Sequence, residues 1–331
     1  MGDPYPRVNV AAVHAASPFL DRDAGVAKAC RLIAEAGANG AQLVVFPETF
    51  LPGYPFWIWT HTPAMSGELF LRFHANSVEL RSPAMAAIGA AAQQAGCHVV
   101  IGISERDGAT LYNTLVYIDD KGEIIGRHRK LQPTNVERTV WGRGDGSDLR
   151  IIETALGKLG GLICWEHAMD LARYALTSQG EQIHIAAWPA ISALTHDPSS
   201  GVFDNLTEAA ARHHAAAGQC FVINAQSCID AETVAALGFT DRPEMMREGG
   251  GWSAIIGPSG RLIAGPHRDT ETILYAELDF AEIIGFKYVS DTAGHYARPD
   301  VLRLHVDYRP QANVVAERLT HPDEPGQAPA G

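Results

Sequence analysis

Along the chain, hydrophobic runs short enough for buried strands alternate with segments whose apolar residues return at helical spacing. Val8 to Val13 is a β-rich run, and Asp21 to Gly37 carries alanines and aliphatics at helical intervals, with Gly37 as its stop. Gln42 to Phe46 is a second strand ending at Pro47, followed by a loop from Thr49 to Pro63 that is rich in Pro, Gly and aromatics. Pro83 to Gly96 reads as a helix and His98 to Ile103 as another buried strand. From Leu111 the pattern changes. Leu111 to Ile118 and Glu123 to Arg127 flank Asp119-Asp120-Lys121-Gly122, a hairpin signal. Similar turns lie inside Thr154 to Cys164 and at Gly257-Pro258-Ser259-Gly260, between Trp252 to Ile256 and Arg261 to Ala264. Helices are expected over Met169 to Gln179 and Asp204 to Ala217, with strands over Gln182 to Ala187 and Cys220 to Ala225. Strands alternating with helices, some joined by hairpins, predict an α/β protein with mixed sheets.

No linker divides the chain, so residues 1–309 are expected to form one domain. After Arg309 the composition shifts to Pro310, Pro322, Pro325, Pro329 and a final Gly-Gln-Ala-Pro-Ala-Gly. Residues 310–331 therefore read as a flexible tail, or one ordered only against another subunit.

With 331 residues, 46% of them hydrophobic, the chain can bury a large core. Its formal net charge of -12 is spread along the sequence, and its basic residues gather only at Arg127-His128-Arg129-Lys130, which excludes nucleic acid and anionic membrane as main partners. The five cysteines, Cys30, Cys97, Cys164, Cys220 and Cys228, are odd in number and form no C-x-x-C pair, pointing to a reducing, cytoplasmic setting. The N-terminus lacks the order of a signal peptide. Ile183 to Leu194, the longest uncharged apolar stretch, is too short to span a bilayer and holds Pro189.

Candidate chemistry sits where strands end. Cys164 closes the apolar run Gly160 to Ile163 and precedes Trp165-Glu166-His167, a place that exposes a nucleophile to substrate, although a lone cysteine after a β-run is more often a small core residue. Glu48 ends a second strand before an aromatic loop; held among aromatics it would be a desolvated base near neutral pH, and otherwise an ordinary surface acid. Lys130 ends a third strand, either as a surface lysine or as the cation that a cysteine attacking an electrophilic carbon needs. Glu137 reads as a second carboxylate of the same cleft or as half of a pair with Arg138. Spacing alone does not bring these residues together.

The segments carrying them add a resemblance. Phe46-Pro47-Glu48, His128 through Arg138, and Gly161-Leu162-Ile163-Cys164-Trp165-Glu166-His167 resemble, in order, the signature blocks of the nitrilase superfamily. Gly180 through Pro189 and Gly294 through Asp300 resemble its true nitrilase branch, and the similarity runs from about Val8 to Arg309. The resemblance implies a four-layer α-β-β-α sandwich that dimerises through its helical faces and in this branch commonly assembles further into spirals or filaments. It implies Cys164 as nucleophile, Glu48 as general base, Lys130 as the cation for the intermediate and Glu137 as a supporting carboxylate. The implied reaction is hydrolysis of a small-molecule nitrile to the carboxylic acid and ammonia through a thioimidate and a thioester; an amidase, a carbamoylase or a cyanide-degrading enzyme is the alternative.

Tyr54, Trp57, Trp141 and Trp188, with Thr134, Trp165 and His167, are expected to line the substrate pocket; core packing is the competing reading, weighed most heavily for Trp57 and Trp59. No metal is expected, since His213-His214 and Cys164 with His167 are the only close groupings and neither has the spacing of a metal site. His213 and His214 should lie on a helix, one facing out and one in. No cofactor is expected either: the glycines near Gly142 to Gly146 lack the sequence of a phosphate loop.

Overall fold

In β1 (Arg7–His14) side chains alternate between two apolar environments. Val8, Val10 and Ala12 face one core, and Ala11 and Val13 face another built with Ala29, Ile33, Ile88 and Ala92. A strand buried on both sides belongs in the middle of a layered structure, and the computed structural model, which describes residues 4–196 and 201–311, places it there. After β1 come α1 (Arg22–Ala38), β2 (Leu43–Val45), α2 (Trp57–Thr60), α3 (Gly67–Asn76), α4 (Pro83–Ala95), β3 (His98–Asp107), β4 (Thr110–Ile118) and β5 (Ile124–Arg129). The chain continues through β6 (Ile152–Thr154), β7 (Gly157–Ile163), α5 (Asp170–Ser178), β8 (Ile183–Trp188), α6 (Phe203–Gly218) and β9 (Phe221–Gln226). It closes with α7 (Ala231–Ala236), β10 (Ser253–Ile256), β11 (Leu262–His267), β12 (Thr272–Asp279) and α8 (Ala281–Val289).

Two six-stranded mixed sheets result, ordered β12-β1-β2-β3-β4-β5 and β11-β10-β9-β8-β7-β6. In the first, β1, β2 and β3 are parallel, while β12 pairs antiparallel with β1, and β4 and β5 form the expected hairpin. In the second, β7, β8 and β9 are parallel and the outer pairs antiparallel. The sheets meet β1 against β9 and β10, and β4 against β7, while α1 and α4 cover the first sheet and α5 and α6 lie over the second. This is the α-β-β-α sandwich.

Helix ends follow local chemistry. Asp21 accepts from Ala24 N at 2.9 Å, and α4 starts with Ser82 followed by Pro83 and is capped by Gly96, whose φ of 64° costs a residue without a Cβ nothing. Gly37 was expected as the stop of α1, but the helix continues to Ala38. Gly37 serves close packing instead: a Cβ there would lie 2.8 Å from Ala95 Cβ of α4. The loop expected from Thr49 to Pro63 contains α2, and α3, α7, β12 and α8 were not among the expected elements; β12 lies along β1, Arg7 opposite Asp279 to His14 opposite Thr272. No helix among the described residues is long and apolar enough to cross a membrane. Of the tail, residues 312–331 lie outside the described residues; before it, Leu304 and Val306 pack on the Leu149, Leu162 and Leu176 cluster.

The chain leaves β2 and passes over β3, with Phe46 N donating to Val100 O and Leu51 N to Gly102 O. This carries Glu48 across Gly102. A Cβ on Gly102 would sit 2.8 Å from Glu48 Cα and 2.5 Å from Thr49 N, both backbone atoms that cannot yield. Gly102→Ala is therefore expected to cost about 1–3 kcal/mol of unfolding free energy, as overpacking does, measurable by urea denaturation; a midpoint equal to that of the parent would show that the crossing is slack.

Candidate active site

Three strand ends converge: β2 delivers Glu48, β5 delivers Lys130, and β7 delivers Cys164 from the facing sheet. Cys164 begins a 3-10 turn with φ 52°, a left-handed conformation that a residue with a Cβ adopts at a cost of about 1–2 kcal/mol. The turn is tied down by Glu166, whose two oxygens accept from Ile163 N and Leu131 N, each at 2.8 Å, and from His128 Nε2 at 2.9 Å. Because Ile163 precedes Cys164 and Leu131 follows Lys130, one carboxylate fixes both strand ends across the sandwich. Burial would raise the Glu166 carboxyl, but His128 and the two N–H groups hold it below its ordinary value; burial likewise opposes a charge on His128, and Glu166 outweighs it.

Lys130 is 1% exposed and donates to Glu48 Oε1 at 3.0 Å and to Glu137 Oε2 at 2.7 Å. Asn113 of β4 donates to Glu48 Oε1 at 2.5 Å, and its own carbonyl accepts from Thr49 Oγ1. Glu137 also accepts from Thr134 N and from the Tyr54 hydroxyl, each at 2.7 Å, and Tyr54 accepts from Trp59 Nε1. Glu137 thus faces Lys130 and does not pair with Arg138, whose guanidinium donates to Pro133 O. Among the described residues, Glu48 Oε2 is buried with no hydrogen-bond partner.

Desolvation dominates the electrostatics. Burial pushes the Glu48 carboxyl up to about 7, Lys130 pulling it down and Glu137 pushing it further up. Burial also drives the Cys164 thiol well above its ordinary value; Lys130 and the Trp165 backbone N–H oppose that shift, while Glu48 and Glu137 add to it. For Lys130, burial works against the ammonium, but Glu137 and Glu48 outweigh it and lift the group above the ordinary lysine range. In this site the thiol keeps its proton, with Glu48 near enough to oppose its ionisation.

Above these groups lies a cavity of about 390 Å³. Cys164 and Glu137 reach it, as do Tyr54, Thr134 and Trp165 from the expected lining. Trp57, Trp141, His167 and Trp188 do not. Trp57 is fully buried with its ring against Phe19 and Phe73. Trp141 stands behind Tyr54 and donates to Ser104 Oγ. His167 lies beneath the Cys164 turn, stacked on Trp188 at 4.8 Å, and Trp188 backs Phe203 edge-on. Trp141 and Trp188 thus support the lining residues Tyr54 and Phe203 from behind, while Trp57 packs in the core. The sequence reading missed Trp59 as lining, and with it Asn135, Ile191, Leu194, His196 and Phe203. Ile191 to His196 follow the expected strand through Ala187, but nothing in their types distinguishes a wall from a core.

A second group was also missed. His213 and His214 share α6, one exposed and one buried, as expected of neighbours on a helix. The buried His214 meets Glu181 and His184, three potential ligand atoms within 4.8 Å of one another drawn from separate parts of the chain. Glu181 accepts from His184 Nδ1 at 2.7 Å and from His214 Nε2 at 2.8 Å, so the three form a hydrogen-bonded cluster.

The profile of the carbon-nitrogen hydrolase family matches residues 9–288. A nitrilase of Pseudomonas syringae pv. syringae is 44% identical over 310 residues, spanning 93% of this chain and 92% of that protein. An arylacetone-specific nitrilase of Alcaligenes faecalis is 43% identical, spanning 91% and 85%. Among solved structures, the carbon-nitrogen hydrolase from Helicobacter pylori superposes with a TM-score of 0.72 at 22% identity, over 89% of this chain and 96% of that one. The fold and the sequence together define an α-β-β-α hydrolase, and the chain belongs to the carbon-nitrogen hydrolase family.

The Glu166 clamp has a measurable cost. In Glu166→Gln the amide nitrogen must face a backbone N–H, and His128 loses its counter-charge. Loss of one partner of a buried pair predicts about 3–5 kcal/mol of lost stability by urea denaturation; a change under about 1 kcal/mol would show that the clamp carries little.

Proposed function

We propose that this protein is a nitrilase that hydrolyses an organic nitrile to its carboxylic acid and ammonia. The observation that carries the reading is the convergence of Cys164 with a buried lysine shared by two carboxylates, one of them with an unpartnered oxygen, at the floor of a mostly apolar cavity. The two relatives above bear nitrilase names, which supports the nitrile over the amide.

In this reading Glu48 takes the Cys164 proton as sulfur adds to the nitrile carbon, and returns it to nitrogen, giving a thioimidate. Water, deprotonated by Glu48, adds to that carbon. Collapse of the tetrahedral species breaks the carbon–nitrogen bond, releases ammonia and leaves a thioester. A second water gives the acid and restores the thiol. Lys130 and the Trp165 N–H stabilise the developing anion. Glu137 holds the lysine in line and keeps Tyr54 at the cavity wall. Tyr54, Thr134 and Trp165 contact the substrate, joined by the apolar wall of Ile191, Leu194 and Phe203. Nothing in this sequence of steps calls on a metal or cofactor.

The domain to Arg309 is proposed to act in the cytoplasm, supported by five cysteines without a disulfide, and as a homodimer through the helical faces, where Leu171 of α5 and Leu206 of α6 are exposed apolar side chains.

Incubating the protein with matched nitriles and amides is expected to release ammonia from nitriles, and Cys164→Ala to abolish it. Ammonia from amides alone would favour an amidase, and an active Cys164→Ala would remove the nucleophile assignment. Because Glu48 acts as its ionised form and is held at about 7, kcat/KM is expected to fall as the pH drops through about 7; a profile flat from about pH 5 to about pH 8 would count against this base.

A further inference from the structure

Beneath the nucleophile turn, His167 Nδ1 lies 2.8 Å from the backbone oxygen of Cys164. A carbonyl only accepts, so His167 carries a proton on Nδ1. Burial, together with His184 and His214, keeps this ring neutral, which leaves Nε2 a bare lone pair. His184 Nε2 lies 2.9 Å from it. On the far side of His184, Nδ1 meets Glu181 Oε1, and His214 Nε2 meets the other oxygen. Burial would raise Glu181, but the two histidines hold it at about 2, so it is ionised and accepts both. Glu181 and His184 thus stand in line behind His167, which donates to Cys164 O. Room for this arrangement is built in, since a Cβ on Gly160 of β7 would collide with Glu181 Oε1.

The terminal acceptor gives the chain its consequence. Cys164 C=O and Trp165 N–H belong to one planar trans peptide, so they point in opposite directions. Anchoring the oxygen on the buried side aims the N–H at the thiol side, and a hydrogen bond at the oxygen polarises the unit and strengthens its N–H as a donor. The Trp165 N–H does face the Cys164 sulfur. We propose that Glu181, His184 and His167 are positioning residues that aim and strengthen the Trp165 N–H toward the anion formed when Cys164 adds to substrate; this rests on the reading of Cys164 as nucleophile. His167, His184 and Glu181 are buried and border no part of the substrate cavity, and the hydrogen-bonded route from them to the site is this peptide.

The test compares His167→Leu, which removes the donor, with His167→Asn, whose amide nitrogen can take the place of Nδ1. Three quantities are read: kcat and KM on a nitrile, and the rate at which methyl methanethiosulfonate modifies Cys164, a reaction that needs the thiol and its base but builds no anion on a substrate carbon. His167→Leu is expected to lower kcat by about 10²-fold, the scale of one oxyanion donor, while KM and the modification rate stay within about threefold. His167→Asn is expected to recover about tenfold of the loss. A leucine variant as active as the parent, one whose thiol reactivity falls in step with kcat, or an asparagine variant no better than leucine overturns the chain. If the leucine variant does not fold, nitrogen-15 spectra of histidine-labelled parent protein decide: a proton on Nδ1 of His167 is expected, and a proton on Nε2 of His167 with none on Nδ1 overturns the proposal. Parent protein that releases no ammonia from nitriles would instead remove the functional reading itself.

Discussion

The site depends on one ammonium shared between two carboxylates away from water. Lys130 is held by Glu48 and Glu137 at hydrogen-bond distance, with all three groups buried. One positive charge cannot satisfy two fully desolvated negative ones. The imbalance falls on Glu48, whose remaining neighbour is the neutral amide of Asn113; Glu137 has Tyr54 and Thr134 N besides the lysine. A carboxyl near 7 with an unpartnered oxygen is the form of an acid–base group. Replacing such a trio by apolar residues would often leave a fold as stable or more so, which makes chemistry the better reason for its presence.

The rest of the architecture keeps this arrangement in place. The lysine and the thiol come from facing sheets, so a small slip between sheets would separate them. Glu166 prevents it by bonding to the residue before Cys164 and the residue after Lys130. On the other side, Gly102 lets the backbone of Glu48 lie directly on β3. Glu48, Lys130 and Cys164 sit at strand ends, yet the contacts that fix them are polar and buried, where each bond counts for more than in water.

Much of the sandwich was legible because strands buried on both faces and alanine-rich amphipathic helices leave strong periodic signals, as from Val8 to Val13 and from Pro83 to Gly96. The hairpin at Asp119 to Gly122 was legible from turn chemistry. The half-exposed β12 was not, because its burial is set by β1 and by no pattern of its own. Trp57 and Trp141 illustrate the limit for side chains: a large aromatic beside a site has the same composition whether it faces the cavity or stands behind the residue that does.

By itself the sequence determined the α/β class, the order of the strand ends bearing Glu48, Lys130 and Cys164, and the family to which they belong, since those properties reside in local periodicity and in contiguous blocks. Tertiary structure alone decided which carboxylate faces the lysine and which oxygen is left free, which aromatics line the cavity, and that Glu181, His184 and His214 meet at all. Those facts concern directions and distances between residues far apart in the chain, and the free energy that selects them, desolvation against pairing, exists only once the sheets have closed over the groups.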